Sequence, residues 1–67
     1  MISLTNALLE VLGRGVTFVV ANGKKFYLTR RTGNNVYVNS QPVSNLADED
    51  RSALKKSLEQ DGYEIEE

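Results

Sequence analysis

The chain contains no cysteine, no histidine and no tryptophan, and only one proline. Without cysteine it has no disulfide framework and no thiolate cage for a metal ion. Without histidine it lacks the commonest zinc ligand and general base, and it cannot build a nucleophile triad that uses histidine. Carboxylates, lysines and hydroxyl groups remain, but no spacing assembles them into a site. We therefore expect a protein that is not an enzyme and takes no cofactor.

Long hydrophobic runs are also missing. The run from Val16 to Ala21 is interrupted by Thr17 and falls far short of the ~20 residues that a membrane-spanning helix needs. No basic residue precedes Arg14, so the N-terminus lacks the basic segment of a secretory signal. These features predict a soluble, cytoplasmic protein with no membrane partner. A length of 67 residues has room for a single small domain, residues 1–67.

Hydrophobic periodicity predicts a helix near the N-terminus. Its apolar residues recur at helical spacing, at Leu4, Leu8, Val11 and Leu12. Ser3 or Thr5 is a suitable N-cap, and Gly13 suits the left-handed position that follows a helix.

A second helix is predicted from about Leu46 to Asp61. Asn45 is its expected N-cap, and Gly62 is expected to end it. With Gly62 in the left-handed position, Leu58 and Tyr63 occupy the two positions that touch in a Schellman ending.

Three β-rich segments lie between the helices, at Val16–Val20, Lys25–Thr29 and Asn35–Asn39. Three-residue loops at Ala21–Gly23 and Arg31–Gly33 keep the large apolar residues on one face. Val16, Phe18, Val20, Phe26, Leu28, Val36 and Val38 then form that inner face. The sequence predicts an α+β fold: a helix, a three-stranded antiparallel β-meander and a helix, arranged as an αβββα two-layer sandwich. The alternating tail Tyr63–Glu67 is a candidate for a short C-terminal edge strand, with Glu66 and Glu67 discouraging further pairing.

The order of elements resembles that of a known fold. Gly23–Phe26, Thr32-Gly33 and Val36–Val38 are similar to the second hairpin of small HicA-type toxin proteins, and Leu54–Gly62 is similar to their last helix. The resemblance implies the double-stranded-RNA-binding-domain-like topology of that family. It implies no ribonuclease activity, because the catalytic histidine of the family is missing from the second strand, where Lys24 and Lys25 stand.

Charge is segregated along the chain, although 8 basic and 9 acidic residues give a formal net charge of −1. Between Val11 and Ala47 there are five basic residues and no acidic one. From Asp48 to the end there are eight acidic and three basic residues. The predicted sheet is therefore basic, and the last third of the chain is acidic.

The predicted outer sheet face places Tyr27 directly opposite Tyr37. Such an aromatic pair stabilises a sheet across its strands, and it is also a candidate contact surface, because tyrosine supplies a large area with a polar tip. We expect a small non-catalytic binding module, an accessory or regulatory protein of phage or mobile-element type. It would bind and modulate a larger protein through its sheet face or its acidic C-terminal helix. A nucleic-acid-binding module that uses the basic, tyrosine-bearing face is the alternative, and self-association is a further expectation. The candidate partner-binding residues are Lys25, Tyr27, Arg30, Arg31, Tyr37, Asp48 and Glu49.

Overall fold

A computed structural model of the chain describes residues 1–66. The elements follow one another as helix α1 (Leu4–Gly13), strands β1 (Phe18–Ala21), β2 (Lys24–Arg30), β3 (Val36–Val38) and β4 (Gln41–Pro42), a 3₁₀ turn (Val43–Asn45) and helix α2 (Asp48–Gln60). The strands form one antiparallel sheet in the order β1-β2-β3-β4. The predicted α+β fold with the order helix, sheet, helix is confirmed, and its sheet has one strand more than expected.

Both helices contribute to the same hydrophobic core on one face of the sheet. Helix α1 packs against β2 and β3, and α2 packs against β1. The core is one cluster of buried residues: Leu4, Ala7, Leu8, Val11, Ala21, Phe26, Leu28, Val36, Val38, Leu46, Leu54, Leu58 and Ile65. Because both helices are used on this face, the opposite face of the sheet is left without a helical layer.

The first helix begins as predicted and ends differently. The Ser3 hydroxyl accepts a hydrogen bond from the Asn6 N–H at 3.1 Å, which caps the helix. Gly13 is the last helical residue, and the left-handed position is taken by Gly15, with φ of +91°. The Val16 N–H reaches back to the Val11 carbonyl at 3.1 Å, which is the long bond of a Schellman motif. The helix therefore runs further than expected before a glycine turns the chain.

The second helix begins later than predicted and ends as predicted. Asn45 belongs to the 3₁₀ turn, and the N-cap is Ala47, whose side chain makes no capping hydrogen bond. The acidic first turn of α2 compensates, since carboxylates there interact favourably with the helix dipole. At the other end Gly62 has φ of +102°, and the Tyr63 N–H donates to the Leu58 carbonyl at 3.3 Å. This confirms the predicted Schellman ending.

The expected register of the first hairpin is wrong. Asn22 and Gly23 form a two-residue turn with φ of +54° and +72°, so Phe18 pairs with Tyr27 and Val19 with Phe26. Two positive φ angles are typical of a type I′ turn, whose twist matches the flanking strands. The positive φ expected at Gly23 is present, but a type I′ turn requires it as much as the longer loop does. Phe18 therefore lies on the outer face, away from the core.

The two-residue turn also changes which other residues of this hairpin are buried. Val20 pairs with Lys25 and is 57 % exposed, whereas Ala21 takes an inner-face position and is buried. Val16, another expected core residue, lies before β1 and is 38 % exposed. The inner face of β1 therefore carries Val19 and Ala21, and α2 packs against this strand.

The second hairpin is shifted by two residues from its expected register. Leu28 pairs with Val38 and Arg30 with Val36, and the Arg31 N–H donates to the Asn35 carbonyl at 2.8 Å to close a five-residue loop. A shift of two leaves every side chain on its expected face. It does separate the two tyrosines, because Tyr37 now pairs with Thr29.

An unpredicted tight turn, Asn39–Ser40, joins β3 to β4. The two residues have φ of +50° and +68°, again the pattern of a type I′ turn. The Asn39 backbone N–H donates to the Tyr27 carbonyl at 2.8 Å, and its side-chain oxygen accepts from the Tyr27 N–H at 2.9 Å. The asparagine thus extends the ladder beside β2 while it turns the chain.

The C-terminal segment does not join the sheet as an edge strand. Ile65 forms an isolated parallel bridge with Ile2. The Ile2 N–H donates to the Glu64 carbonyl at 3.0 Å, and the Glu66 N–H donates to the Ile2 carbonyl at 2.9 Å. Ile65 is buried in the core, so this bridge ties the two ends of the chain together. Glu67 lies outside the described residues, so the blocking role expected of it is a prediction only.

Candidate functional site

The outer face of the sheet is the surface on which most predicted partner-binding residues can be located. The observed register places on it Phe18, Val20, Lys25, Tyr27, Thr29 and Tyr37. Three of these are large apolar or aromatic residues with substantial exposure: Phe18 is 39 % exposed, Val20 57 % and Tyr27 55 %. Exposed apolar residues that adjoin one another are typical of interaction surfaces, whereas isolated ones are ordinary.

Lys25 connects two of these aromatic rings. The Phe18 and Tyr27 rings meet edge to face, with centroids 6.0 Å apart and an interplanar angle of 81°. The Lys25 ammonium nitrogen is 4.8 Å from the Phe18 centroid and 5.8 Å from the Tyr27 centroid. An ammonium group over ring faces gains about 0.5–1 kcal/mol at an exposed site. The three side chains form a packed unit with a positive charge at its surface.

Tyr37 and Arg31 form a second unit on the same face. Tyr37 is half-buried, and the guanidinium carbon of Arg31 lies 4.4 Å from its ring centroid. A planar guanidinium stacks readily on an aromatic ring. Both aromatic–cation units therefore combine an apolar area with a positive charge.

Arg30, another predicted site residue, is held in the loop between β2 and β3. It pairs with Val36, a residue of the inner face, so the alternation of the strand assigns Arg30 to the inner face at the strand end. Its Nε donates to the Gly33 carbonyl at 3.2 Å, and its Nη2 donates to Asn34 Oδ1 at 3.3 Å. These bonds hold the Arg30 side chain against the loop.

The remaining cations of the basic segment are engaged away from the outer face. Lys24 forms an ion pair with Asp50 at 3.2 Å, which joins the start of β2 to α2. Arg14 donates a hydrogen bond to the Tyr63 hydroxyl and lies 5.8 Å from that ring. The charge segregation seen along the sequence is therefore partly neutralised by folding, which leaves Lys25 and Arg31 as the cations on the outer face.

Asp48 and Glu49 lie in the first turn of α2, in the other layer of the fold. Asp48 forms an ion pair with Arg51 one turn on. Glu49 lines a shallow hollow between α2 and β1. The seven predicted site residues are therefore divided between two layers, and the acidic pair does not share a surface with the aromatic units.

Phe18 and Val20 belong to the candidate surface, although the sequence analysis assigned them to the core. The signal that could have placed them is the Asn22-Gly23 dipeptide, which is the preferred sequence of a two-residue type I′ turn. Asn39-Ser40 gave a weaker signal of the same kind for the third hairpin.

No polar or charged side chain is buried within residues 1–66, and in the same range no three carboxylates gather as a metal site would require. Among the helices described, none is long and apolar enough to cross a membrane.

The chain matches no protein-family model, and neither a curated protein nor a solved structure is significantly similar to it. The resemblance to HicA-type toxins is therefore supported by none of the three comparisons.

Proposed function

We propose that this chain is a small, non-catalytic binding module that contacts a larger protein through the outer face of its sheet. The observation that carries the proposal is the packed unit of Phe18, Tyr27 and Lys25, next to the exposed Val20. Tyrosine and phenylalanine supply large contact area at low entropic cost, and they are enriched at protein interfaces.

The outer face is favoured over the acidic helix as the contact surface. Two acidic side chains of the first turn of α2 are already paired within the chain, Asp48 with Arg51 and Asp50 with Lys24. Part of the negative charge of this turn is therefore offset within the chain. The apolar area that drives protein association lies on the sheet.

A nucleic-acid-binding module is the second candidate. Its support is the stacking of Arg31 over Tyr37 and the position of Lys25 over Phe18, since single strands are bound by aromatic rings beside cations. We rank it second because affinity for phosphate rises with the number of free cations. Three of the five in the basic segment are engaged in the contacts described above.

We further propose an accessory or regulatory role in the cytoplasm, of the kind that small phage or mobile-element proteins have. Such a protein acts by occupying a surface of its target, which requires an interface and no catalytic group. Self-association through the same face is a competing use of it and is tested together with partner binding.

The proposal is tested by affinity capture with matched variants. Tyr27→Ser and Lys25→Glu alter the outer face, and Lys55→Glu makes the same charge change on α2. We expect a captured protein to be lost with the first two variants and retained with the third. Retention with all three variants, or loss only with Asp48→Asn or Glu49→Gln, would contradict the outer face as the contact surface.

The nucleic-acid alternative has its own measurement. Binding of a fluorescent single-stranded oligonucleotide is titrated at ~50 mM salt, where the electrostatic contribution is strongest. Binding that weakens with salt and is lost in Arg31→Ala would favour nucleic acid over protein. Self-association is read from the molar mass in solution across a range of protein concentrations.

A further inference from the structure

The edge strand β1 presents backbone hydrogen-bonding groups away from the sheet. The Leu28 N–H donates to the Thr17 carbonyl at 2.8 Å, which fixes the phase of the β1–β2 ladder. In an antiparallel pair, alternate residues exchange hydrogen bonds with the neighbouring strand. Val19 and Ala21 therefore bond to β2, and the N–H and C=O groups of Phe18 and Val20 point outward.

The space beside these groups is open. Two hollows, of about 640 and 400 Å³, follow the boundary between β1 and α2 and share Val20 and Ser57 in their linings. The Ser57 hydroxyl donates to the Val20 carbonyl at a long distance of 3.4 Å. Helix α2 thus borders the edge where the two hollows meet, and an added strand would replace this long bond to the Val20 carbonyl.

The two edges of the sheet differ in their protection. Natural edge strands are shielded by charge, proline, bulges or short length. Strand β4 has two residues, one of which is Pro42, and a 3₁₀ turn follows it at once. Strand β1 is four residues long and has the sequence Phe-Val-Val-Ala, without charge, proline or bulge. Helix α2 covers it at the Val20 carbonyl, through the long bond from Ser57.

The positive charge of Lys25 favours an added strand with acidic side chains. The Lys25 ammonium lies over the Phe18 ring, which brings a positive charge to the β1 side of the outer face. Every carboxylate within residues 1–66 lies on α1, on α2 or in the segment after α2. Two of them, Glu49 and Asp61, line the hollows beside β1, and each shares its hollow with a cation, Lys56 and Arg14 respectively. An added strand with acidic side chains on the outer face would meet this cation, and apolar side chains on its other face would enter the hollow beside Leu58.

A second copy of the chain fits this edge less well. Pairing β1 with its own copy would place a second Lys25 on the outer face of the joined sheet, and no carboxylate of residues 1–66 lies on a strand to offset the two charges. An acidic segment would supply the carboxylates that a copy lacks there.

We propose that β1 binds an extended, acidic segment of the partner protein as a fifth strand of the sheet, in the manner of β-augmentation. This inference rests on the proposed function and names the form and charge of the partner. Main-chain hydrogen bonds to Phe18 and Val20 would supply the affinity, and Lys25 would select for acidic side chains.

The probe for this proposal is a blocked seven-residue peptide of alternating valine and glutamate. Amide hydrogen exchange is measured by NMR on the intact chain with and without the peptide. We expect slowed exchange at the Phe18 and Val20 amides. A valine–lysine peptide of the same length should bind at least tenfold more weakly. In the Lys25→Glu protein this preference should be lost or reversed, and in Lys55→Glu it should remain.

N-methylation of the peptide tests the geometry. Alternate amides of an added strand face β1 or face away from it, so methylation of one alternate set should abolish binding while methylation of the other leaves it. Equal effects of the two sets, or no binding up to ~1 mM peptide, would overturn the proposal. Protection of Phe18 and Val20 that rises with protein concentration alone would assign the edge to a second copy.

The test separates this inference from the proposed function. If resonances of Tyr27 and Tyr37 shift with a partner while the Phe18 and Val20 amides stay unprotected, the edge-strand proposal fails and the outer face stands as the binding surface. If neither responds to the captured protein, both proposals fail.

Discussion

Asn39 and Tyr27 are joined by two hydrogen bonds, one from the Asn39 backbone N–H and one to its side-chain oxygen. Asn39 also has a positive φ of 50°. Because asparagine tolerates this conformation better than most residues, one side chain serves both the turn and the ladder. It holds the last hairpin of the sheet beside β2.

Replacement of Asn39 separates these two roles. We expect Asn39→Ala to lower the free energy of unfolding by about 1–3 kcal/mol, because it loses the hydrogen bond and strains the left-handed backbone. Asn39→Gly loses only the side-chain bonds, the one from the Tyr27 N–H and a long one to the Lys25 carbonyl, and should cost about 1 kcal/mol. Urea denaturation followed by circular dichroism measures both variants.

The control for Asn39 is Asn45→Ala. Asn45 was expected to cap α2, and loss of such a cap costs about 1 kcal/mol. It lies instead in the exposed 3₁₀ turn, so the change should stay within about 0.5 kcal/mol. A large loss at Asn45, or equal stability of Asn39→Ala and Asn39→Gly, would disagree with the structure.

Substitution of alanine for each of two glycines at the end of α1 should change the stability of the protein in opposite directions. Gly13 is helical, with no atom within 4 Å of an added Cβ, so Gly13→Ala should raise stability by about 0.5–1 kcal/mol. Gly15 has φ of +91°, so Gly15→Ala should lower it by about 1–2 kcal/mol. Thermal unfolding of the two variants measures whether each substitution raises or lowers the stability. A loss of stability in Gly13→Ala would place the left-handed residue where the sequence first suggested it.

The helices were predictable because their signals are local. Apolar spacing and the caps at Ser3 and Gly62 specify them from a few neighbouring residues. The β1 register was not predictable from alternation, because Phe18–Ala21 is apolar on both faces and either face can be buried. The strand around Tyr37 does alternate, so its face was predicted correctly; a shift by two residues leaves that alternation unchanged, so its partner was not.

The candidate surface was predictable only in part, for related reasons. Lys25, Tyr27 and Tyr37 share an outer face in either register. Phe18 joins them on this face because the Asn22-Gly23 turn has two residues and not three. The pairing of Lys24 with Asp50 joins groups 26 residues apart in the chain, and no local pattern indicates it. Sequence reasoning therefore overestimated the positive charge that the folded surface presents.

Two phenylalanines distinguish the observed register from the expected one. Phe26 is 1 % exposed, and Phe26→Ala should cost about 3–5 kcal/mol of stability. Phe18 is 39 % exposed, and its main aromatic contact is Tyr27, so Phe18→Ala should cost about 1–2 kcal/mol. A double-mutant cycle with Tyr27→Ala should return a coupling of about 0.5–1.5 kcal/mol. Similar large losses at both phenylalanines would mean that Phe18 is in the core.

The bridge between Ile2 and Ile65 makes the last residues part of the fold. Ile65 is 5 % exposed and belongs to the core cluster, so Ile65→Ala should lower the free energy of unfolding by about 2–5 kcal/mol. Ile65→Val removes a single methylene group and should cost about 0.5–1.5 kcal/mol. The exposed neighbour provides the control, because Glu64 contributes its carbonyl and not its side chain to the bridge; Glu64→Ala should stay within about 0.5 kcal/mol.

Hydrogen exchange tests the same bridge without a substitution. The Ile2 and Glu66 amides donate to carbonyls across it, so both should exchange more slowly than the amide of Glu64, for which the bridge offers no acceptor. In Ile65→Ala the two amides should lose protection together, because one pairing holds both. Fast exchange at Ile2 and Glu66 in the unmodified protein, with little loss of stability in Ile65→Ala, would show that the tail is not docked. A small domain without disulfides depends on such contacts, since its core alone supplies only a few kcal/mol.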